Sequence, residues 1–285
     1  MRISIIGDIH GSILNLKRII PKLKKSEIIF VTGDITGTIS YPLVIKSILK
    51  SRRISREKYA ELVYNDYISE FIDYQISSAR KIIKLLLSTK TPIFFTHGNS
   101  DVKEARDFFS KISKENENLF YVGNNIEIHE KWLVAGYGFS SPSTYRTPFK
   151  TPGEKKNDEI SYDLKKLEQK ITSLRETNEF IFVSLLHEPP LNSELDFMPY
   201  STSHGGSKLI SEYIHKIPFD YVFAGHIHES QNYEITDNNI MLNPGPLLNG
   251  EWAFINYKTR NVQLKKLFIS LTIKGFAYKT REIFK

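Results

Sequence analysis

The chain has 285 residues, 40% hydrophobic and 25% charged, with no cysteine and a formal net charge of +7. That length can bury a sizeable core and that composition is globular rather than disordered, while the lack of cysteine excludes disulfides, thiolate nucleophiles and cysteine-held zinc. The positive charge would favour an anionic partner, but lysines spread over solvated helix faces are the simpler account, so charge assigns no function.

The first segments repeat one pattern. "ISIIGD" (3–8), "EIIFVTGD" (27–34) and "PIFFTHGN" (92–99) are β-branched or aromatic runs that end in Gly with Asp or Asn. Runs apolar on both faces and bounded by turns suit strands buried between layers. "SILNLKRIIPKLKK" (12–25) reads as the helix after the first strand, with Ser12 as its cap and Pro21 expected to end or kink it. Residues 42–90 form a helical insert, longer than one crossover needs, read as two helices capping one end of a sheet. A helix is expected over 101–115, with Asp101 as its cap or as a partner of a ligating histidine, and another over the amphipathic stretch 157–177. "FIFVSLLHEPP" (180–190) and "FDYVFAGHIH" (219–228) are two more strands, now ending in histidine. From about residue 229 the chain is β-rich, and "QNYEIT", "NIMLNPG", "EWAFINY" and "NVQLKKLFISL" read as antiparallel strands. The expectation is one α/β domain over 1–285, two packed sheets with helices outside.

No apolar stretch, "IIKLLL" and "IFVSLL" included, is long enough to cross a bilayer. "MRISIIGD" has neither the apolar core nor the cleavage site of a signal peptide, so a cytoplasmic protein without a membrane anchor is expected.

Five strand ends carry Asp8 with His10, Asp34, Asn99, His187, and His226 with His228. Ligand sites form beyond the carboxyl ends of parallel strands, so residues this far apart can meet. Two carboxylates, four imidazoles and one amide oxygen are too many donors for a single tetrahedral zinc. They suit two divalent metals that share a carboxylate, and manganese, iron, nickel, cobalt or zinc better than calcium.

In order, "GDIHG", "GDITG", "HGNSD", "LLHEPP" and "GHIHES" resemble the calcineurin-like metallophosphoesterase superfamily, and "NPGP" (243–246) extends the likeness. Each motif alone is weak; five in order at strand ends are specific. The resemblance implies a two-sheet β-sandwich flanked by helices, four αββα layers. It implies that Asp8, His10 and His228 hold one metal, that Asn99, His187 and His226 hold a second, and that Asp34 bridges the two. It also implies hydrolysis of a small phosphate ester by a metal-bridging hydroxide, with manganese the favoured ion.

One departure bears on chemistry. Many members read Gly-Asn-His-Asp where this chain has "GNSD" (98–101), so Ser100 stands in place of a histidine thought to assist the leaving oxygen. Help of that kind is typically worth about 10²–10⁴-fold. The departure favours phosphodiesters or activated monoesters as substrates. Ser100 and His204, in the loop "STSHGGSK", are therefore the candidate catalytic residues, and His97, His129 and His215 are read as structural or surface groups. Phe139, Tyr145 and Phe149 are candidates for a substrate wall or a packed loop. Two alternatives stand beside the phosphodiesterase: a non-catalytic interaction module of the same fold, and a nuclease. The best basic cluster, "KSRRISREKY" (50–59), lies in the helical insert and is not a continuous nucleic-acid track.

Overall fold

A strand that is apolar on both faces needs a layer on each side, and the alternation of side chains along it divides its residues between the two. In the computed structural model, which describes residues 2–37, 56–142, 151–175 and 179–267, this division builds the architecture. Strands β1 (Arg2–Ile6), β2 (Ile28–Val31) and β3 (Ile93–Phe95) run parallel, and β4 (Leu119–Tyr121) extends them. On the other side of β1 come β13 (Glu251–Asn256) and β14 (Asn261–Lys266), both antiparallel. The first sheet thus has the order β14-β13-β1-β2-β3-β4.

A second sheet mirrors this plan. Its parallel centre is β12 (Ile240–Asn243), β10 (Tyr221–Phe223), β7 (Ile181–Leu186) and β6 (Trp132–Tyr137), with antiparallel edges β11 (Asn232–Ile235) and β5 (Ile126–His129). A separate two-stranded ribbon pairs β8 (Phe197–Met198) with β9 (Ser203–His204).

Alternate residues meet between the sheets. Ile3, Ile5, Phe30 and Phe94 from the first sheet pack against Val183, Leu185, Phe223 and Leu242 from the second. Phe30 and Phe223 touch across the gap, their ring centroids 5.0 Å apart. The intervening residues face outward under helices. Ile6, Ile29, Val31 and Phe95 are covered by α1 (Ile13–Leu23), α2 (Arg56–Leu87) and α3 (Lys103–Lys114). Leu186 and Val222 are covered by α4 (Asn157–Arg175) and α5 (Lys208–Lys216). The result is α/β, two mixed sheets flanked by helices, with three apolar layers between four structural ones. None of the described helices is long and apolar enough to cross a membrane.

Several sequence expectations need correction. Strands β4, β5 and β6 were not foreseen. The four late strands do form two antiparallel pairs, but β11–β12 joins the second sheet and β13–β14 the first, and β12 also runs parallel to β10. The chain changes sheets at "NPGP", where Gly7 bridges Pro246. From Arg56 the insert is one unbroken helix, and residues 42–55 lie outside the described residues. Its last turns, with Ala79, Ile82, Ile83 and Leu86, pack on the first sheet. Ser12 makes no side-chain cap, and Pro21 falls in the last turn of α1, two residues before its end.

Because the inner layer joins the two sheets, Phe30→Ala is expected to lower unfolding free energy by about 3–5 kcal/mol. Denaturant unfolding checks this, and a loss below about 1 kcal/mol would mean that the packing between sheets carries little of the stability.

Candidate metal centre

The parallel strands of both sheets end at one place, and short loops there bring the seven predicted donors together. Asp8 N–H bonds Gly33 O at 3.1 Å and His10 N–H bonds Asp34 O at 2.8 Å, lacing the first two loops. Hydrogen bonds also run between the loops of the two sheets: His187 Nδ1–H to the carbonyl of Thr32 at 2.9 Å, and His226 N–H to both oxygens of Asp8 at 3.1 Å.

Four of the seven donors have left-handed backbone: Asp8 (φ 46°), His10 (φ 44°), Asp34 (φ 45°) and His226 (φ 70°). Each such residue costs of order 1–3 kcal/mol and persists only where its surroundings demand it. Gly98 and Gly225 are required beside them, because a Cβ at either would run into the carboxylate of Asp34 or Asp8.

The donor atoms converge. His10 Nε2 and His228 Nε2 are 3.1 Å apart, and Asn99 Oδ1 lies 2.8 Å from His187 Nε2 and 3.0 Å from His226 Nδ1. His228 Nε2 is 3.4 Å from Asp8 Oδ1. Asp34 faces both groups, Oδ2 at 3.5 Å from His10 and Oδ1 at 3.6 Å from His187. Asp8 is likewise close enough to belong to both carboxylate–imidazole clusters, Asp8–His10–His228 and Asp8–Asp34–His187.

Lone pairs that face one another at these distances need a proton or a cation between them. Two donors each about 2.1 Å from one divalent ion, at right angles, stand about 3.0 Å apart, so the spacing fits shared cations. The chemistry fits as well. Thr32 takes the Nδ1 proton of His187, which leaves Nε2 as the donor aimed at Asn99. Among the described residues, the ion-pair partners of the buried Asp8 and Asp34 are imidazoles.

Electrostatics follows from this crowding. Burial pushes Asp8 up, but the hydrogen bond and charge of His228, with His187 and His10, hold it below the ordinary carboxylate range. Asp34 is lowered too, with burial again overcome by His187 and His10. Burial and the nearby charge of His187 take His226 down to about 4. Burial opposes the charged form of His228, yet the Asp8 hydrogen bond and charge push it up to about 9.

The surrounding groups were only partly foreseen. Ser100 gives its N–H and its hydroxyl to the two oxygens of Asp34, each at 2.8 Å. Asp101 does not cap α3, whose cap position is Val102. Its buried carboxylate instead accepts the N–H groups of Ile35, Thr36 and Gly98 and the hydroxyl of Thr36, fastening the second donor loop to the third. His204 lies outside the cluster of seven, on β9, with Nδ1 2.7 Å from Asp196. His97 is buried against Phe139 and Tyr121, and Tyr145 and Phe149 lie outside the described residues. Three supports were not assigned from the sequence. Gln75 on α2 clamps the third loop through Ser100 O and Val102 N–H, both at 2.8 Å. Thr151 accepts from Asn99 Nδ2 at 2.9 Å, so the Asn99 oxygen faces the imidazoles. Glu188, next to His187, is buried and accepts from Ser141 N–H and Oγ.

The sequence profile of the calcineurin-like phosphoesterases matches residues 1–230. The chain belongs to that family. Its members are phosphoester hydrolases that use a pair of divalent metal ions. An uncharacterized protein of Methanocaldococcus jannaschii is 29% identical to this phosphoesterase over 163 residues, which cover 56% of this chain and 66% of that one, just under two thirds of its length. Among solved structures, TT1561 of Thermus thermophilus superposes with a TM-score of 0.60 at 13% identity, covering 93% of this chain and 98% of that one. A dimetal phosphatase from Danio rerio gives 0.52 at 9% identity, covering 89% and 91%. At such identities the likeness is one of fold.

Because Asp8 holds a proton on His228 up to about pH 9, a cation bound there must displace that proton. Manganese binding to the metal-free phosphoesterase is therefore expected to tighten from about pH 6 to about pH 9 and to release protons near neutral pH. Calorimetry in buffers of different ionisation enthalpy measures both, and pH-independent binding would remove His228 from the ligand set. Burial raises Glu188 to about 7 against its ordinary 4.5. The folded metal-free protein thus holds this proton more tightly than the unfolded chain, and stability falls as pH rises from about 4.5 through about 7, by about 3 kcal/mol in all. Glu188→Gln is expected to flatten that fall in melting curves across the same pH window; an unchanged slope would mean that Glu188 ionises at its ordinary pH.

Proposed function

We propose that this phosphoesterase is a phosphodiesterase that works with two divalent metal ions. Asp8, His10 and His228 would hold one, Asn99, His187 and His226 the other, with Asp34 between them. Two such ions, when bound, screen the phosphate oxygens and acidify a water so that a nucleophile is available near neutral pH.

The protein's own groups set the conditions for this. Ser100 and Asp101 hold Asp34 and its loop in one orientation. Thr32 sets the tautomer of His187, and Thr151 sets the amide of Asn99. Outer partners of this kind are typically worth about 10–100-fold in affinity or activity.

The observation that carries the diester reading is Ser100. It stands where many relatives have histidine, and both its N–H and its hydroxyl are committed to Asp34. The position therefore orients a carboxylate and donates no proton to a leaving oxygen. That supports a substrate whose reaction does not draw on a histidine at this place.

Metal content by mass spectrometry, followed by hydrolysis of an aryl phosphodiester and an aryl phosphomonoester in manganese, tests the reading. The expected result is two metals per chain with turnover of the aryl diester, and turnover of simple alkyl monoesters slower than that by about 10²–10⁴-fold, the worth of the missing acid help. Simple alkyl monoesters turned over as fast as aryl diesters would sink it. Asp34→Asn is expected to lower diester turnover by about 100-fold or more, above the usual cost of losing an outer partner, because the amide removes the shared negative charge and turns an NH2 group toward one of the two metals. Full activity in that variant would rule out the shared role of Asp34.

A further inference from the structure

Asp196 is fully buried, and its carboxylate is satisfied largely by backbone. Oδ1 accepts from Ser193 N–H at 3.0 Å, and Oδ2 accepts from Asn192 N–H at 3.1 Å and Gly206 N–H at 3.0 Å. To this it adds the Nδ1–H of His204, at 2.7 Å on Oδ1. The imidazole is about one-third exposed, with 36% of its side chain open to solvent, while its partner is wholly enclosed. A rigid carboxylate that takes one ring proton leaves Nε2 as the atom able to give or take a proton, which is the logic of an aspartate–histidine pair in hydrolases. Phe197, opposite His204 in the β8–β9 ribbon, lies against the ring at 5.4 Å between centroids.

The pair is tied to the metal-site turn. Asn243 Nδ2 donates to Leu195 O at 3.1 Å and to Ile227 O at 3.0 Å, so one side chain joins the Asp196 loop to the residue between His226 and His228. Ser230 Oγ donates to Phe197 O at 3.0 Å. Between these segments lies a cleft of about 350 Å³, lined by His204, Phe197, Pro199, Glu194, Glu229 and Asn232 among others. Among the described residues its lining holds carboxylates, amides, hydroxyls and two exposed rings, Phe197 and the His204 imidazole, and neither lysine nor arginine. Such a wall accepts hydroxyl donors and a flat neutral face, and it repels a second phosphate.

We propose that this cleft receives the leaving alcohol of the substrate, an uncharged, hydroxyl-bearing group, and that His204, positioned by Asp196, protonates its oxygen. The inference rests on the phosphodiesterase reading above. In the step, water gives up a proton to solvent and supplies the new oxygen on phosphorus, and the bond from phosphorus to the leaving oxygen breaks with its electron pair on that oxygen. The Nε2 proton moves to it, and the imidazolium becomes neutral imidazole with Nδ1–H still on Asp196. A proton from solvent then restores the imidazolium. The products are a phosphomonoester and a free alcohol. His204 is thus the catalytic residue and Asp196 a positioning one.

The test uses the metal-loaded full chain and two diesters that differ in the leaving alcohol, methyl 4-nitrophenyl phosphate and methyl glyceryl phosphate. Nitrophenolate departs without a proton; glycerol does not. His204→Ala and His204→Gln are expected to lower kcat for glycerol release by about 10²–10⁴-fold and for nitrophenol release by less than about tenfold, with two metals still bound. Asp196→Asn is expected to shift the same ratio in the same direction by a smaller factor. Equal losses on both diesters, or no loss on either, overturn the pair. A methyl diester whose leaving group is glycerol phosphate should show a higher KM than the glyceryl one, and an equal or lower KM overturns the cleft assignment. If the wild-type enzyme with its two metals hydrolyses neither diester, the phosphodiesterase reading itself falls, and this inference with it.

Discussion

Two carboxylates, Asp8 and Asp34, are taken out of water side by side, and each makes the other's ionisation harder. Burial of paired like charges is expensive unless opposite charge and hydrogen bonds compensate. Here the compensation comes from imidazoles and backbone amides at the junction of two sheets. Because those partners arrive from five loops, every loop must approach closely. The left-handed backbone at Asp8, His10, Asp34 and His226 and the glycines beside them are consequences of that crowding.

The same constraint explains the neighbours. Asp34 must present one oxygen to each side, so its rotation cannot be free, and Ser100 fixes it with two donors. Asp101 then holds the loop that carries Asp34, and its own acidity is weakened by burial and by the Asp34 charge. A serine at this position therefore orients a donor. Proton transfer to a leaving group is left to another residue, the role proposed above for His204 held by Asp196.

The long helix α2 links fold to site. Its apolar side packs on the first sheet, while Gln75 holds the chain at Ser100 and Val102, and Ser78 accepts from Gly37 N–H at 3.1 Å. Tyr74 fills the space over Gly37, where a Cβ would collide with its ring. The segment that most lengthens the chain between two metal-site motifs is thus also the brace for both of their loops.

The sequence by itself determined which residues meet. Runs apolar on both faces required buried parallel strands, and buried parallel strands place the residues after them at a common end, so Asp8, His10, Asp34, Asn99, His187, His226 and His228 were legible before any coordinates. Amphipathic periodicity also marked α4, and position after the third strand marked α3, each to within a few residues. What it could not show were relations with no local pattern. The division of β11–β12 and β13–β14 between two sheets is set by which face of each pair is left to cover, and only the assembled layers define that. Asp101 reads from the sequence as a helix cap or as the partner of a ligating histidine; instead the unsatisfied amides of two donor loops lie closer and win it. Gln75, Thr151 and Asp196 are single polar residues in unremarkable stretches, and each acquires its role from a partner at least eight residues away. The donors were readable because strand ends are a local property; their orientation, and the pairing of His204 with Asp196, were decided by tertiary packing because hydrogen-bond partners brought together through space leave no period in the chain.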